Sequence, residues 1–441
     1  MTQDRLPRFL GPLGAALFTV GWTIGSAVFR VPGQVATGAG SITASLVLWA
    51  GGGVVALCGA YCYAELSVRL PRSGSEYAYT FAAYGPFLGF LLAWATLFGA
   101  PMAVAAVARA FSDYFAVIWP LDEMPRRMLA ASVIALLGGI AVVSTPVSTR
   151  VASIAGVGKL LALLALGIAG LFFTGAHPPT PPMPLSVGGF AALGPAFVAI
   201  LWAYDGFASV TTLAGEVRTP QRTLPVGLLL GLAFIAAAYV GTNIVYFHVL
   251  GFNGVATSEA VAAQTLGAAI GPRSAQVIAV LVMCSTLGTV AAQCVGQSRY
   301  YLAPAEDGLL PTWLARVWPR TRTPANAVIA MSAVAMFYVL SGGYAAIIGA
   351  YALVWYPFLA LALASAVVLR RREGRPLGFS MPLYPLPLIV FVAGIVAMVA
   401  ASIADDPRAL LVALFVPVTG TVVYAIARRR GAFGGSKSMR G

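Results

Sequence analysis

Runs of about 20 apolar residues follow one another along almost the whole chain, each long enough to cross a hydrocarbon core of about 30 Å. Inside lipid every backbone N–H and C=O must be satisfied within the protein, so such segments are helices. A barrel is excluded, because its strands alternate polar and apolar residues over about ten positions and these runs do not. Only 9% of the 441 residues are charged and 59% are hydrophobic, whereas a soluble domain carries about 25% charge. The expectation is an all-α polytopic membrane protein of about twelve transmembrane helices. Their cores lie near 10–37, 42–67, 86–118, 126–146, 151–174, 189–213, 224–250, 272–302, 325–341, 344–369, 383–403 and 408–427.

The net charge of +13 would suit nucleic acid in a soluble protein, but its placement argues otherwise. With an even number of spans both termini share one side. Most of the 27 basic residues fall there, from Arg5 and Arg8 through Arg370, Arg371 and Arg372 to Arg428, Arg429 and Arg430. The other side keeps Arg126, Arg127, Arg273 and Arg408. The positive-inside rule then predicts a multi-pass protein of the cytoplasmic membrane with both termini in the cytoplasm. Basic loops against anionic lipid account for the excess charge, and no nucleic-acid partner is expected.

Residues 1–427 read as a single transmembrane domain, and 428–441 as a basic, Gly/Ser-rich cytoplasmic tail. Met1–Arg8 is polar and the first apolar run too long for a cleavable signal. The longest external connections are Gly175–Gly188 and Gly251–Gly271. Cys58, Cys62, Cys284 and Cys294 fall inside spans, without metal-ligand spacing to His177 or His248, so free thiols and no metal are expected. No cofactor is expected either. No phosphate-cradling loop appears, which argues against ATP-driven work, and no Ser/His/Asp set argues for an enzyme.

Two spans carry small and polar residues at mid-depth, where they weaken helix most. The first contains Gly21-Trp22-Thr23-Ile24-Gly25-Ser26-Ala27-Val28-Phe29; the sixth contains Trp202-Ala203-Tyr204-Asp205-Gly206-Phe207-Ala208-Ser209. Matched interruptions five spans apart predict discontinuous helices 1 and 6 in a five-plus-five inverted repeat, with a binding site between the breaks. Close packing through glycine is the competing explanation of one such cluster. A broken helix offers free N–H groups at the start of its second half, which suit a carboxylate. The carbonyls ending its first half suit an ammonium group. Gly25, Ser26, Ala27 and Val28 are therefore candidates for a substrate carboxylate, and the carbonyls around Ile24, Trp202 and Ala203 for an α-amino group. The pair describes a zwitterion site, which favours amino acids over sugars or nucleobases; an inorganic anion at a broken helix would leave the same pattern.

Asp205 is the carboxylate placed near mid-membrane, where an unpaired charge costs about 2.5–3.5 kcal/mol on insertion scales. Its expected role is contact with a substrate amine or a cationic side chain; the alternative is an internal pair with Arg30 or Lys159. Lys159, eight or nine residues into span five, is expected to be neutral, paired, or a stand-in for a coupling cation, loading and releasing a proton each cycle. Snorkelling to the boundary is the competing account. Arg30 is expected to line the outer vestibule, and Arg299 to meet the cytoplasmic face together with Glu306 and Asp307. Trp202 is a candidate aromatic gate over bound substrate.

These residues together resemble the amino acid–polyamine–organocation superfamily, in its L-type amino acid transporter-like branch. Gly25-Ser26-Ala27-Val28-Phe29 resembles the family's Gly-Ser-Gly-Ile-Phe signature. Tyr63-Ala64-Glu65-Leu66 with Pro71-Arg72-Ser73-Gly74-Ser75-Glu76-Tyr77-Ala78-Tyr79 is similar to the segment leading into span three. Tyr204 to Phe207 and Gly215-Glu216-Val217-Arg218-Thr219-Pro220 resemble span six and its hinge. Ser298-Arg299 with Glu306-Asp307-Gly308-Leu309-Leu310-Pro311 is similar to the loop after span eight.

The resemblance implies inverted repeats over about 10–174 and 189–369, and two extra C-terminal helices over about 383–427. It implies that Lys159 stands in for a sodium site, and that access alternates by rocking between the halves. The function so implied is a sodium-independent secondary active amino acid transporter, exchanging or proton-coupled, with neutral L-amino acids favoured. A cationic amino acid or polyamine exchanger using Asp205 is the first alternative, and a membrane sensor that binds without transport the second. Two positions depart from the family pattern: Ala27 stands where Gly is usual, and Asp205 where an uncharged residue is. Animal members often join a heavy chain through a cysteine between spans three and four; Trp119 to Arg126 has none, so no disulfide-linked partner is expected.

Overall fold

The computed structural model describes residues 11–70, 75–173, 190–217, 219–321, 323–376 and 378–430. Residues 71–74 and Arg218, which belong to the motifs quoted above, lie outside the described residues, as do Gly175–Gly188, His177 and the tail from 431. Among the described residues the chain is helical, with one isolated antiparallel bridge between Trp318 and Thr323. Among the described residues ten segments are long and apolar enough to cross a membrane, and two shorter apolar helices, Leu161–Phe172 and Ala325–Ser341, stand at the remaining predicted places.

Span one is built from three pieces, Pro12–Thr23, Ala27–Arg30 and Pro32–Ala39, and span two is Ile42–Arg69, capped where Ser41 accepts the Ala44 N–H. A short helix, Ser75–Tyr84, leads into span three, Pro86–Ile118. Spans four and five are Glu123–Val143 and Thr145–Phe172. Span six joins Leu193–Tyr204 to a 3-10 stretch, Phe207–Glu216. Span seven is Pro220–Ala256, followed by a short helix Val261–Ala269. Span eight, Pro272–Gly296, runs on as a 3-10 turn, Gln297–Tyr301. Spans nine to twelve are Ala325–Ser341, Tyr344–Glu373, Leu386–Asp405 and Ala409–Arg429.

The packing has the pattern of two matching five-helix halves. Span two lies on seven, three on eight and four on nine; one on seven is matched by six on two, and five on eight by ten on three. Exchanging the halves maps each contact onto itself or onto its match. Spans eleven and twelve then add to this unit, eleven against two and six, twelve against three and ten. Close approach depends on small residues, as expected where lipid removes the hydrophobic drive between helices. A Cβ on Gly227 would stand 2.4 Å from that of Ala15, and one on Gly231 2.8 Å from that of Thr19.

Both predicted breaks are present. In span one the helix stops at Thr23, and the Gly25 N–H turns back onto the Thr23 carbonyl at 2.8 Å. In span six Asp205 is extended and Gly206 is left-handed at φ 88°, a conformation that glycine alone adopts freely. A Cβ there would also come within 2.7 Å of the Trp22 ring, so the two breaks lie against each other.

At the end of the bundle where spans two and ten finish, buried Glu65 accepts from Arg370 Nε at 2.7 Å, from Arg69 at 3.2 Å and from the Met381 N–H at 2.8 Å. Arg299 stands in the 3-10 turn, in a cleft beside Val295, Leu302 and Val328, and Asp307 accepts from Tyr77 at 2.6 Å. All four cysteines are free.

Candidate functional site

A cavity lies between the two breaks. Gly25, Ser26 and Ala27 border it from span one, Trp202, Asp205 and Gly206 from span six, and Tyr351 and Trp355 from span ten. Ile24, Val28 and Ala203, the other sequence candidates, are fully buried and do not line it. The carbonyl ends of both broken helices face one another across a single hydroxyl. Tyr239 of span seven stands 3.2 Å from the Thr23 carbonyl and 3.0 Å from the Ala203 carbonyl. The negative ends of two helix dipoles therefore converge there.

Asp205 ends the first half of span six, and its carboxylate accepts from the Tyr351 hydroxyl at 2.5 Å. Neither basic residue weighed as its partner meets it. Arg30 Nε bonds Asp113 at 3.1 Å, and Lys159 donates to the Gly21 carbonyl. Among the described residues Asp205 makes no ion pair within 4.0 Å.

Trp202 connects this carboxylate to the far end of the bundle. Its indole N–H donates to the Tyr344 hydroxyl at 2.9 Å, and its ring meets Tyr351 edge-on with centroids 5.1 Å apart. The Arg30 guanidinium lies over the Tyr344 ring at 5.1 Å. From Arg30 a charge network continues through Asp113 to Arg109 at 3.6 Å and Arg126 at 3.9 Å. It ends on Glu123 and Glu259. The second half of span one is thus tied to spans three and four where those spans meet.

Lys159 is 4% exposed, so its side chain does not reach a boundary. Its ammonium group holds the Gly21 carbonyl, within the last turn before the break in span one. Among the described residues no group of three His, Cys, Asp or Glu side chains is placed to hold a metal.

A family model described as amino acid permease matches residues 10–426. The chain belongs to the amino acid permease family. This permease is 28% identical over 440 residues to the human b(0,+)-type amino acid transporter 1, covering 95% of this chain and 88% of that protein. It is 27% identical to the serine/threonine exchanger SteT of Bacillus subtilis (strain 168), covering 98% and 99%. It is 29% identical to the rat large neutral amino acids transporter small subunit 2, covering 95% and 80%. These relatives put the permease in the L-type-like branch of the amino acid–polyamine–organocation superfamily, among transporters and not enzymes.

Tyr351, which borders the cavity, and Tyr344 and Tyr239, which bond to Trp202 and to the Ala203 carbonyl, carried no role in the sequence reading. Glu76 was quoted within a motif but given no task, although it too borders the cavity. A carboxylate entering an apolar segment was the signal that pointed to it.

Proposed function

We propose that this permease is a sodium-independent secondary transporter that exchanges amino acids by alternating access, with both termini in the cytoplasm. The observation that carries the reading is the meeting of two broken helices at a carboxylate without a basic partner. The amide end of span one, at Ser26, Ala27 and Val28, receives the substrate carboxylate. The carbonyl ends of Ile24, Trp202 and Ala203, with Asp205 beside them, receive the α-ammonium. Trp202 closes over the bound molecule. Lys159, fixed to span one through Gly21, takes the place of a coupling cation, which is why sodium is not needed. Exchange is the mode supported by the similarity to SteT, a serine/threonine exchanger, and coupling to protons through Lys159 is the competing mode.

The sequence alone favoured neutral L-amino acids. The unneutralised charge of Asp205 favours substrates with additional positive charge, and a cationic amino acid is the reading we adopt. Counterflow in proteoliposomes loaded with leucine, alanine, arginine or putrescine tests it, with and without sodium and a pH gradient. Arginine is expected to drive counterflow in the absence of sodium, faster than alanine. Binding of these solutes without any exchange would replace the transporter with a sensor.

A further inference from the structure

The cavity does not end at Asp205. It continues past Phe207 toward the end of the bundle where span two finishes, and there it is bordered by Glu76. Glu76 sits in the first turn of the short helix Ser75–Tyr84 and is only 5% exposed. Tyr63 of span two donates to its Oε1, while Oε2 has no hydrogen-bond partner. Beside it, Gln293 and Gln297 border the same cavity, each with an unpartnered Oε1. Asp205 and Glu76 are within electrostatic reach of each other. Among the described residues that line the cavity there is no Lys or Arg. One continuous space therefore holds two buried carboxylates and several unfilled acceptor oxygens, with no cationic side chain among the described residues that line it. Buried acceptors and charges of this kind are costly unless something pairs with them.

The charge pattern matches one class of solute. A basic amino acid carries one carboxylate and two cationic groups. The carboxylate is met by the amide end of span one and the α-ammonium by Asp205 and the carbonyl ends. A second cation remains, and Glu76 is the cavity's second carboxylate. We propose that Glu76 is a further substrate-contacting specificity residue, a second cation station for the distal ammonium or guanidinium of a basic amino acid. Gln293 and Gln297 accept its remaining N–H groups, and the Trp22 and Tyr63 rings flank the apolar stem. This deepens the transport reading above and rests on it.

The test is exchange by wild type and Glu76→Gln in proteoliposomes, comparing arginine with citrulline, its uncharged near-isostere, and lysine with leucine. Wild type is expected to prefer the charged member of each pair, and Glu76→Gln to reduce the arginine-over-citrulline preference in kcat/KM at least tenfold. An unchanged preference in the variant would overturn the proposal, as would equal loss for all four solutes, since Glu76 would then act only through the fold. Glu76→Asp, which keeps the charge and retracts it, covers a Gln variant that does not fold. It is expected to raise KM for arginine more than for citrulline, and equal shifts would overturn the proposal. A wild type that exchanges leucine but neither arginine nor lysine removes the second station and leaves the amino acid transporter standing. A wild type that exchanges nothing removes the transporter itself.

Discussion

The Tyr351 hydroxyl reaches the Asp205 carboxylate at 2.5 Å, and this bond joins span ten to the break in span six. The two residues are 146 positions apart, one from an unbroken helix and one from an interrupted one. The bond fixes the orientation of the carboxylate beside the carbonyl ends. Tyr351→Phe keeps the ring, and with it the edge-on contact to Trp202, but removes the donor. Hydrogen bonds to charged groups are worth about 1.5–3 kcal/mol, so substrate affinity is expected to fall roughly tenfold or more. Saturation curves for arginine counterflow check this; an unchanged KM would mean that Asp205 is held in place by other groups.

Lys159→Ala removes the tether between span five and the Gly21 carbonyl. The variant is expected to exchange at least about tenfold more slowly, because a hydrogen bond from an ammonium group is lost at the break. Uptake in liposomes with and without a pH gradient is the measurement. Undiminished transport in both conditions would reject a coupling role for the lysine.

Gly206→Ala meets two obstacles at once. The left-handed backbone at φ 88° costs a non-glycine residue about 1–3 kcal/mol. Its Cβ would also press on the Trp22 ring at 2.7 Å. The expected result is a lower melting temperature in detergent together with loss of exchange, since the two breaks can no longer lie together.

Arg30 and Asp113 form a pair whose side chains are 12% and 3% exposed. Arg30→Ala leaves Asp113 with Arg109 and Arg126 at longer range, and is expected to cost about 1–3 kcal/mol. Removing both residues is expected to cost less than the sum of the single changes, with a coupling of about 0.5–3 kcal/mol. Thermal unfolding of the four proteins in detergent measures it; additive losses would show that the contact contributes nothing of its own.

How much of this was legible beforehand follows from the range of each interaction. Helix placement is a local property, set by runs of apolar residues, and the breaks are local too, because Gly25 and Gly206 lie within their own interruptions. Asp205 and Lys159 were legible because a charge inside an apolar run is conspicuous. Their partners were not. Arg30 and Lys159 both looked available to Asp205, yet one is taken by Asp113, 83 residues away, and the other by a backbone carbonyl 138 residues away. Tyr344, Tyr351 and Tyr239 were missed because an aromatic residue in a span has many ordinary reasons to be there.

Ala15 and Thr19 seat on Gly227 and Gly231, with no room between them for even one added methyl group. Such a joint resists sliding, since any axial shift would drive a side chain into backbone. The first half of span one is thereby seated on span seven, and in the proposed alternating-access cycle the two would move as one piece. Any bending of span one in that cycle would fall to the short non-helical stretch at Ile24 to Ser26.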